Sequence, residues 1–183
     1  MIGKRLKSFR QQRGFRTARD FAVKLAPVFV TTLPLVFLLS SPAVASSQKT
    51  CLQEALYFEA RSEGWRGMLA VGVVIKNRVR HPKYPETVCA VVRQGKYMNG
   101  NPIRDKCQFS FWCDGKPEKI DDENAWVAAG ETSRLLMSTY IIIEGMERVT
   151  HYHANYVSPK WSKHHIRIIE IGKHIFYEEP SAN

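Results

Sequence analysis

Between residues 51 and 61 the apolar positions Leu52, Ala55 and Leu56 fall on one stripe of a helical wheel. Thr50 and Gln53 have the spacing of a capping box, so a helix is expected to open there. Glu63-Gly64-Trp65-Arg66-Gly67 interrupts it. Residues 68–80 predict a second helix, apolar on nearly every side from Met68 to Ile75 and therefore central. Pro82 and Pro85 stop it, and a shorter helix is expected over 86–94, ending at Gly95. Asn99-Gly100-Asn101-Pro102 and Asp114-Gly115 are turn signals. Between them residues 108–112 alternate as a short strand would. A fourth helix is expected over 122–140, with Trp126, Ala129, Leu136 and Tyr140 on one side. Residues 149–156 alternate, and 166–177 hold two short runs around Gly172. Helices first and strands last predict an α+β fold: a helical N-terminal half with a small antiparallel sheet.

The N-terminal segment belongs to a different class. Residues 1–24 carry eight basic side chains against Asp20 alone, which accounts for +7 of the +10 net charge of the 183-residue chain. The remainder is only mildly basic, so the charge gives little support to nucleic-acid binding. Residues 25–39 are apolar apart from Thr31 and Thr32 and contain Pro27 and Pro34. Ala43-Val44-Ala45 follows, an Ala-x-Ala site. This pattern is a secretory signal peptide over residues 1–45, cut after Ala45. An uncleaved membrane anchor is the alternative, although the apolar core falls short of the ~20 residues of a spanning helix. Residues 46–183 then form a single exported domain, in the periplasm or cell envelope.

Cys51, Cys89, Cys107 and Cys113 all lie after the cut. An even number in an exported chain reads as disulfides. Cys107 and Cys113 flank a short loop and form the natural local pair, which leaves Cys51 with Cys89. A four-cysteine zinc site is disfavoured because no Cys-x-x-Cys is present.

Glu59 stands seven positions after Leu52, about 20° away on the wheel. A carboxylate therefore shares the stripe that faces the interior. Burial there raises its pKa, and such a carboxyl serves as a general acid near neutral pH. A half-exposed Glu paired with a basic neighbour is the plainer reading. Glu63 is its rival at the helix exit, and Glu54 is expected on the solvated face. Asn77 could aim its amide into a cleft or make a local backbone bond. His151 and His153 share one face of an alternating segment, with Tyr152 on the other. The two rings could line a polar groove. They could also hold zinc with a third ligand from His164, His165 or His174, but no metal-binding motif such as HExxH supports that. Tyr97, Phe109, Phe111, Trp112, Tyr152, Tyr156 and Trp161 offer rings on which sugars stack, although any one of them could be core.

From Tyr57 to Gly64 the chain reads YFEARSEG, and from Ala70 to Val79 AVGVVIKNRV. CQFSF follows from Cys107, HYHA from His151 and IGKHIFY from Ile171. These five ordered blocks resemble the SleB-type cell wall hydrolases. The resemblance implies a lysozyme-like, lytic-transglycosylase-like fold. It also implies cleavage of the β-1,4 bond between N-acetylmuramic acid and N-acetylglucosamine in peptidoglycan glycan strands. It carries the catalytic role to Glu59. Asn77, Gln108, Ser110, Tyr152 and His153 become candidates to orient sugar groups, with His151 and His153 expected to line the glycan cleft without binding metal. Ser62 stands where the family usually has Gly; both are small. With one convincing carboxylate, a lytic transglycosylase is favoured, needing no cofactor. A hydrolytic muramidase using Glu63 or an Asp, a metal-dependent amidase built on the histidines, and a non-catalytic murein-binding module are the alternatives.

Overall fold

The computed structural model describes residues 42–180, with side chains from residue 47 onward. The basic and apolar segments at the N-terminus lie outside the described residues. Helix α1 spans Pro42–Ala60, eight residues earlier than the Thr50 capping pattern predicts. The added turns contain Ala43 and Ala45, strong helix formers. Long-range contacts also hold this end: Gln48 Oε1 accepts from the Cys89 N–H at 2.9 Å, and Cys51 is disulfide-bonded to Cys89. No helix among the described residues is long and apolar enough to cross a membrane.

A one-turn 3-10 segment, Arg61–Glu63, leads into α2 at Gly64–Arg80. Helix α2 is the central element, with Met68, Ala70, Val71, Val74 and Ile75 almost fully buried. Each large side chain buried this way stabilises the fold by about 1.5–3 kcal/mol. At Gly72 a Cβ would collide with Leu136 of α4, Glu123–Ser138, so this glycine sets how closely the two helices approach. Asp122 caps α4, its carboxylate accepting from Ala125 N–H at 3.0 Å. The Tyr57 hydroxyl accepts the N–H groups of Asp121 and Asp122 at 2.9 and 3.0 Å, tying the start of α4 to α1.

Helix α3 is only Val88–Val92, capped by Thr87. It is followed by a hairpin of β1, Gly95–Met98, and β2, Asn101–Cys107. Asn99 and Gly100, both at positive φ, make its two-residue turn. The strand expected at 108–112 is instead a 3-10 turn, Ser110–Cys113. Phe109 and Phe111 are buried and Gln108 and Ser110 exposed, so the alternation is real. It arises from a turn closed by the Cys107–Cys113 disulfide and not from a ladder. Both disulfides pair as the spacing suggests.

The C-terminal part is an antiparallel three-stranded sheet in the order β3 (His151–Ala154), β5 (His174–Glu178), β4 (Ile166–Ile171). Gly172, at φ 61°, turns β4 into β5. Helices and two small antiparallel sheets make the fold α+β, as the pattern predicts.

Candidate active site

Glu59 sits in the last turn of α1, on the stripe of Leu52 and Leu56, both of which are fully buried. It is itself half-buried. Tyr152 reaches it from β3 and donates its hydroxyl hydrogen to Glu59 Oε2 at 3.1 Å. The backbone N–H of Ser110, in the 3-10 turn, is a second donor. The Arg78 guanidinium supplies positive charge from α2. Burial outweighs all three and holds the Glu59 carboxyl above the usual carboxylate range. Desolvation, followed by the nearby Glu59 charge, pushes the Tyr152 phenol well above its ordinary value, so it stays a neutral donor.

Arg78 is 4% exposed. Its Nε donates to the Thr150 carbonyl at 2.7 Å, and its plane lies over the Phe109 and Tyr84 rings. Its Nη1 has no hydrogen-bond partner among the described residues. Arg78 is not among the residues that the sequence pattern singles out; its signal is register, a guanidinium seven positions after Val71 and four after Val74, both fully buried. Nor does the pattern single out the Ser110 N–H, a donor that residue type cannot announce.

The rival carboxylate is held differently. Glu63 accepts from the Lys173 N–H at 2.7 Å and from the Ser62 hydroxyl at 3.0 Å. Slight burial pushes its pKa up, but these bonds and the His174 and Lys173 charges pull it below the usual range. It braces the β4–β5 turn, where a Cβ on Gly172 would strike it. Glu54 is half-buried and not on a freely solvated face, and desolvation raises its pKa.

Not all expected site residues meet at Glu59. Tyr152 and the Ser110 backbone do. Gln108 and Ser110 have exposed side chains in the adjoining turn. Asn77 is 5% exposed, and its amide is used internally. Nδ2 donates to the carbonyls of Met146 and Val149 at 2.7 and 2.8 Å, and Oδ1 accepts from Arg80 at 2.6 Å. Both amide hydrogens are engaged, so Asn77 has none to offer a sugar. His151 and His153 face away from Tyr152, as strand alternation requires. They pack around Trp161, with His153 stacked on Tyr177 and His151 edge-on to His165. Burial first, then the Arg78 and His165 charges, push His151 down to about 4, so its ring is neutral. The β3 strand thus separates these rings from Glu59. Among the described residues, His151, His165 and Glu179 form the one group of three side chains whose ligating atoms lie close enough to share a metal ion.

Aromatic side chains flank the turn beside Glu59. Phe58 and Phe111, the chain neighbours of Glu59 and Ser110, stack at 4.9 Å. With Arg61, Lys116 and Lys119 they line a pocket of about 240 Å³. A larger groove of about 680 Å³ runs along Glu63, Trp65, Leu69, Ile143 and Ile171.

Two solved structures share this fold. The catalytic domain of the Bacillus cereus SleB protein is 24% identical, with a TM-score of 0.53, over 73% of this chain and 91% of that domain. The catalytic domain of the germination-specific lytic transglycosylase SleB from Bacillus anthracis is 24% identical, with a TM-score of 0.55, over 72% and 93%. No curated protein sequence matches the chain. The Cell Wall Hydrolase family model matches residues 62–177, starting just after Glu59 and covering the remainder of the site. With that match over more than half its length, the chain belongs to the Cell Wall Hydrolase family.

Proposed function

We propose that the chain cleaves peptidoglycan glycan strands at the N-acetylmuramic acid–N-acetylglucosamine β-1,4 bond, as a lytic transglycosylase with Glu59 as acid and then base. The observation that carries this is the state of Glu59: a half-buried carboxyl with a raised pKa, while Glu63 is committed to the β4–β5 turn. With Glu63 committed elsewhere, Glu59 stands alone as the acid, which suits an internal nucleophile better than the two-carboxylate hydrolytic schemes. The B. anthracis SleB domain, which shares the fold, is described as a lytic transglycosylase.

Glu59 gives its proton to the glycosidic oxygen as the bond to the muramic acid anomeric carbon breaks. Tyr152, the Ser110 N–H and Arg78 stabilise the carboxylate that remains. The same carboxylate then takes the proton of the muramic acid 6-hydroxyl, whose oxygen closes on the anomeric carbon as a 1,6-anhydro ring. Glu59 is thereby reset without an outside water. Gln108 and the Ser110 hydroxyl meet sugar polar groups in this reading, which their exposure in the adjoining turn supports. The N-terminal pattern and the two disulfides support action in an oxidising envelope compartment, the periplasm.

Digestion of purified peptidoglycan, with and without chelator and followed by mass analysis, tests the proposal. Anhydro-muropeptides are expected from the wild type and none from Glu59→Gln. Reducing ends would replace transglycosylation by hydrolysis. Freed stem peptides lost on chelation would point to an amidase, and no products to a murein-binding module.

A further inference from the structure

On the side of β3 away from Glu59, three side chains with metal-ligating atoms converge from separate parts of the chain. His151 comes from β3, His165 from the approach to β4, and Glu179 from just beyond β5. Their ligating atoms lie within 4.8 Å of one another. Each histidine has one ring nitrogen already engaged. Nδ1 of His151 is bonded to the Thr150 hydroxyl at 3.0 Å, and Nδ1 of His165 to the Trp161 carbonyl at 2.9 Å. A carbonyl only accepts, so His165 Nδ1 carries the hydrogen and Nε2 is its ligand nitrogen; the Thr150 hydroxyl can accept from His151 Nδ1 in the same way, as outer partners of metal-ligating imidazoles do. The ligand nitrogen of His151, Nε2, lies 4.0 Å from Glu179 Oε1. In His165, Nε2 is buried with no hydrogen-bond partner among the described residues. A buried, unpaired imidazole nitrogen is costly unless something occupies it.

Glu179 is oriented in the same way. Lys83 Nζ donates to its Oε2 at 2.5 Å and the Tyr84 hydroxyl to its Oε1 at 3.2 Å. Oε1 keeps a second lone pair on the side of the histidines. The charges of Lys83 and Arg78 are close to this cluster and oppose a cation, while the carboxylate favours one. Two imidazoles and one carboxylate are a donor set suited to zinc, with a fourth position left for water.

We propose that His151, His165 and Glu179 form a zinc-binding site, separate from Glu59, that pins the end of β5 to β3 and to the segment entering β4. In tetrahedral zinc the ligating atoms stand about 3.3 Å apart, a closure reached by small ring and carboxylate rotations. The bound ion gives the His165 nitrogen the partner it lacks. The site takes no part in the glycan step and stands whether or not that reading holds.

The test uses the untagged full chain, stripped with chelator and titrated with zinc against a chromophoric competitor. One tight equivalent is expected, with a rise in Tm of at least about 4 °C at saturation. Calcium and magnesium should give no rise. His165→Leu and Glu179→Gln should each lose the tight equivalent and the zinc-dependent rise. Circular dichroism of the metal-free variants should match the wild type. If His165→Leu does not fold, Glu179→Gln decides alone, since it changes a partly exposed residue outside the sheet. Absence of zinc uptake by the wild type, or a variant that keeps the full zinc-dependent rise, overturns the proposal.

Discussion

Glu59 shows how one side chain is set against its surroundings. Burial raises its pKa while Tyr152, Arg78 and the Ser110 N–H restrain the rise. Glu59→Gln keeps the volume and removes the transferable proton, so glycan cleavage should fall at least about a hundredfold. The same change should stabilise the fold at neutral pH. The folded pKa lies above the unfolded one, so the stability tied to this group is present below the unfolded value and is lost as pH rises through the folded value. The Tm gain of Glu59→Gln, measured by calorimetry across pH, should therefore shrink on acidification and vanish below about pH 4. Tyr152→Phe removes a bond that lowers the Glu59 pKa. The alkaline limb of kcat/KM should move to higher pH, with the optimum rate down roughly two- to tenfold. Asn77→Ala should act on stability. Losing its buried bonds to Met146, Val149 and Arg80 should cost about 2–3 kcal/mol in denaturant unfolding, with kcat of the folded fraction little changed. Glu59 was legible because its signal is local, a carboxylate in register with Leu52 and Leu56. The duty of Asn77 was not, because nothing near it in sequence announces carbonyls some seventy residues on.

Elements with a core face were readable, and elements without one were not. Helices α2 and α4 and the three C-terminal strands fall close to where periodicity puts them. Strand β1 is exposed throughout and β2 nearly so, so this hairpin offers no apolar alternation, and only its Asn99-Gly100 turn was visible. The start of α1 was missed for another reason: Thr50 has the composition of a cap, but contacts to α3 carry the helix past it. Those contacts also rank the disulfides. The Cys51–Cys89 bridge spans a sequence separation of 38, for which chain entropy predicts about 4 kcal/mol, against about 2 kcal/mol for Cys107–Cys113 at a separation of 6. Replacing the first pair by Ala should lower the urea midpoint more. Replacing the second should weaken catalysis more, because the turn it closes carries the Ser110 N–H that meets Glu59. Parallel unfolding and turnover measurements on the two double variants check this division.

At the scale of the whole molecule, helices supply the carboxyl and the guanidinium, and the sheet supplies the phenol. The class of fold was legible from element order. The meeting of α1 with β3 was not, because it is set by packing across the entire domain. Export is argued at this scale too: Edman sequencing of the protein recovered from a cell envelope should begin at Ser46, which would leave most of α1 intact, whereas an anchored form would keep residue 1. Tyr152 and its two flanking histidines place a further demand on the chain. On β3, paired His151↔Tyr177 through Ala154↔His174, odd and even positions face opposite sides. One residue inserted or deleted within that strand would bring an imidazole to Glu59 and carry the phenol to the histidine side. A carboxyl meant to keep its proton would then have a basic neighbour able to take it. Two residues would restore the arrangement. Length changes along this stretch are thus governed by parity, so that a two-residue insertion should be better tolerated than a one-residue insertion.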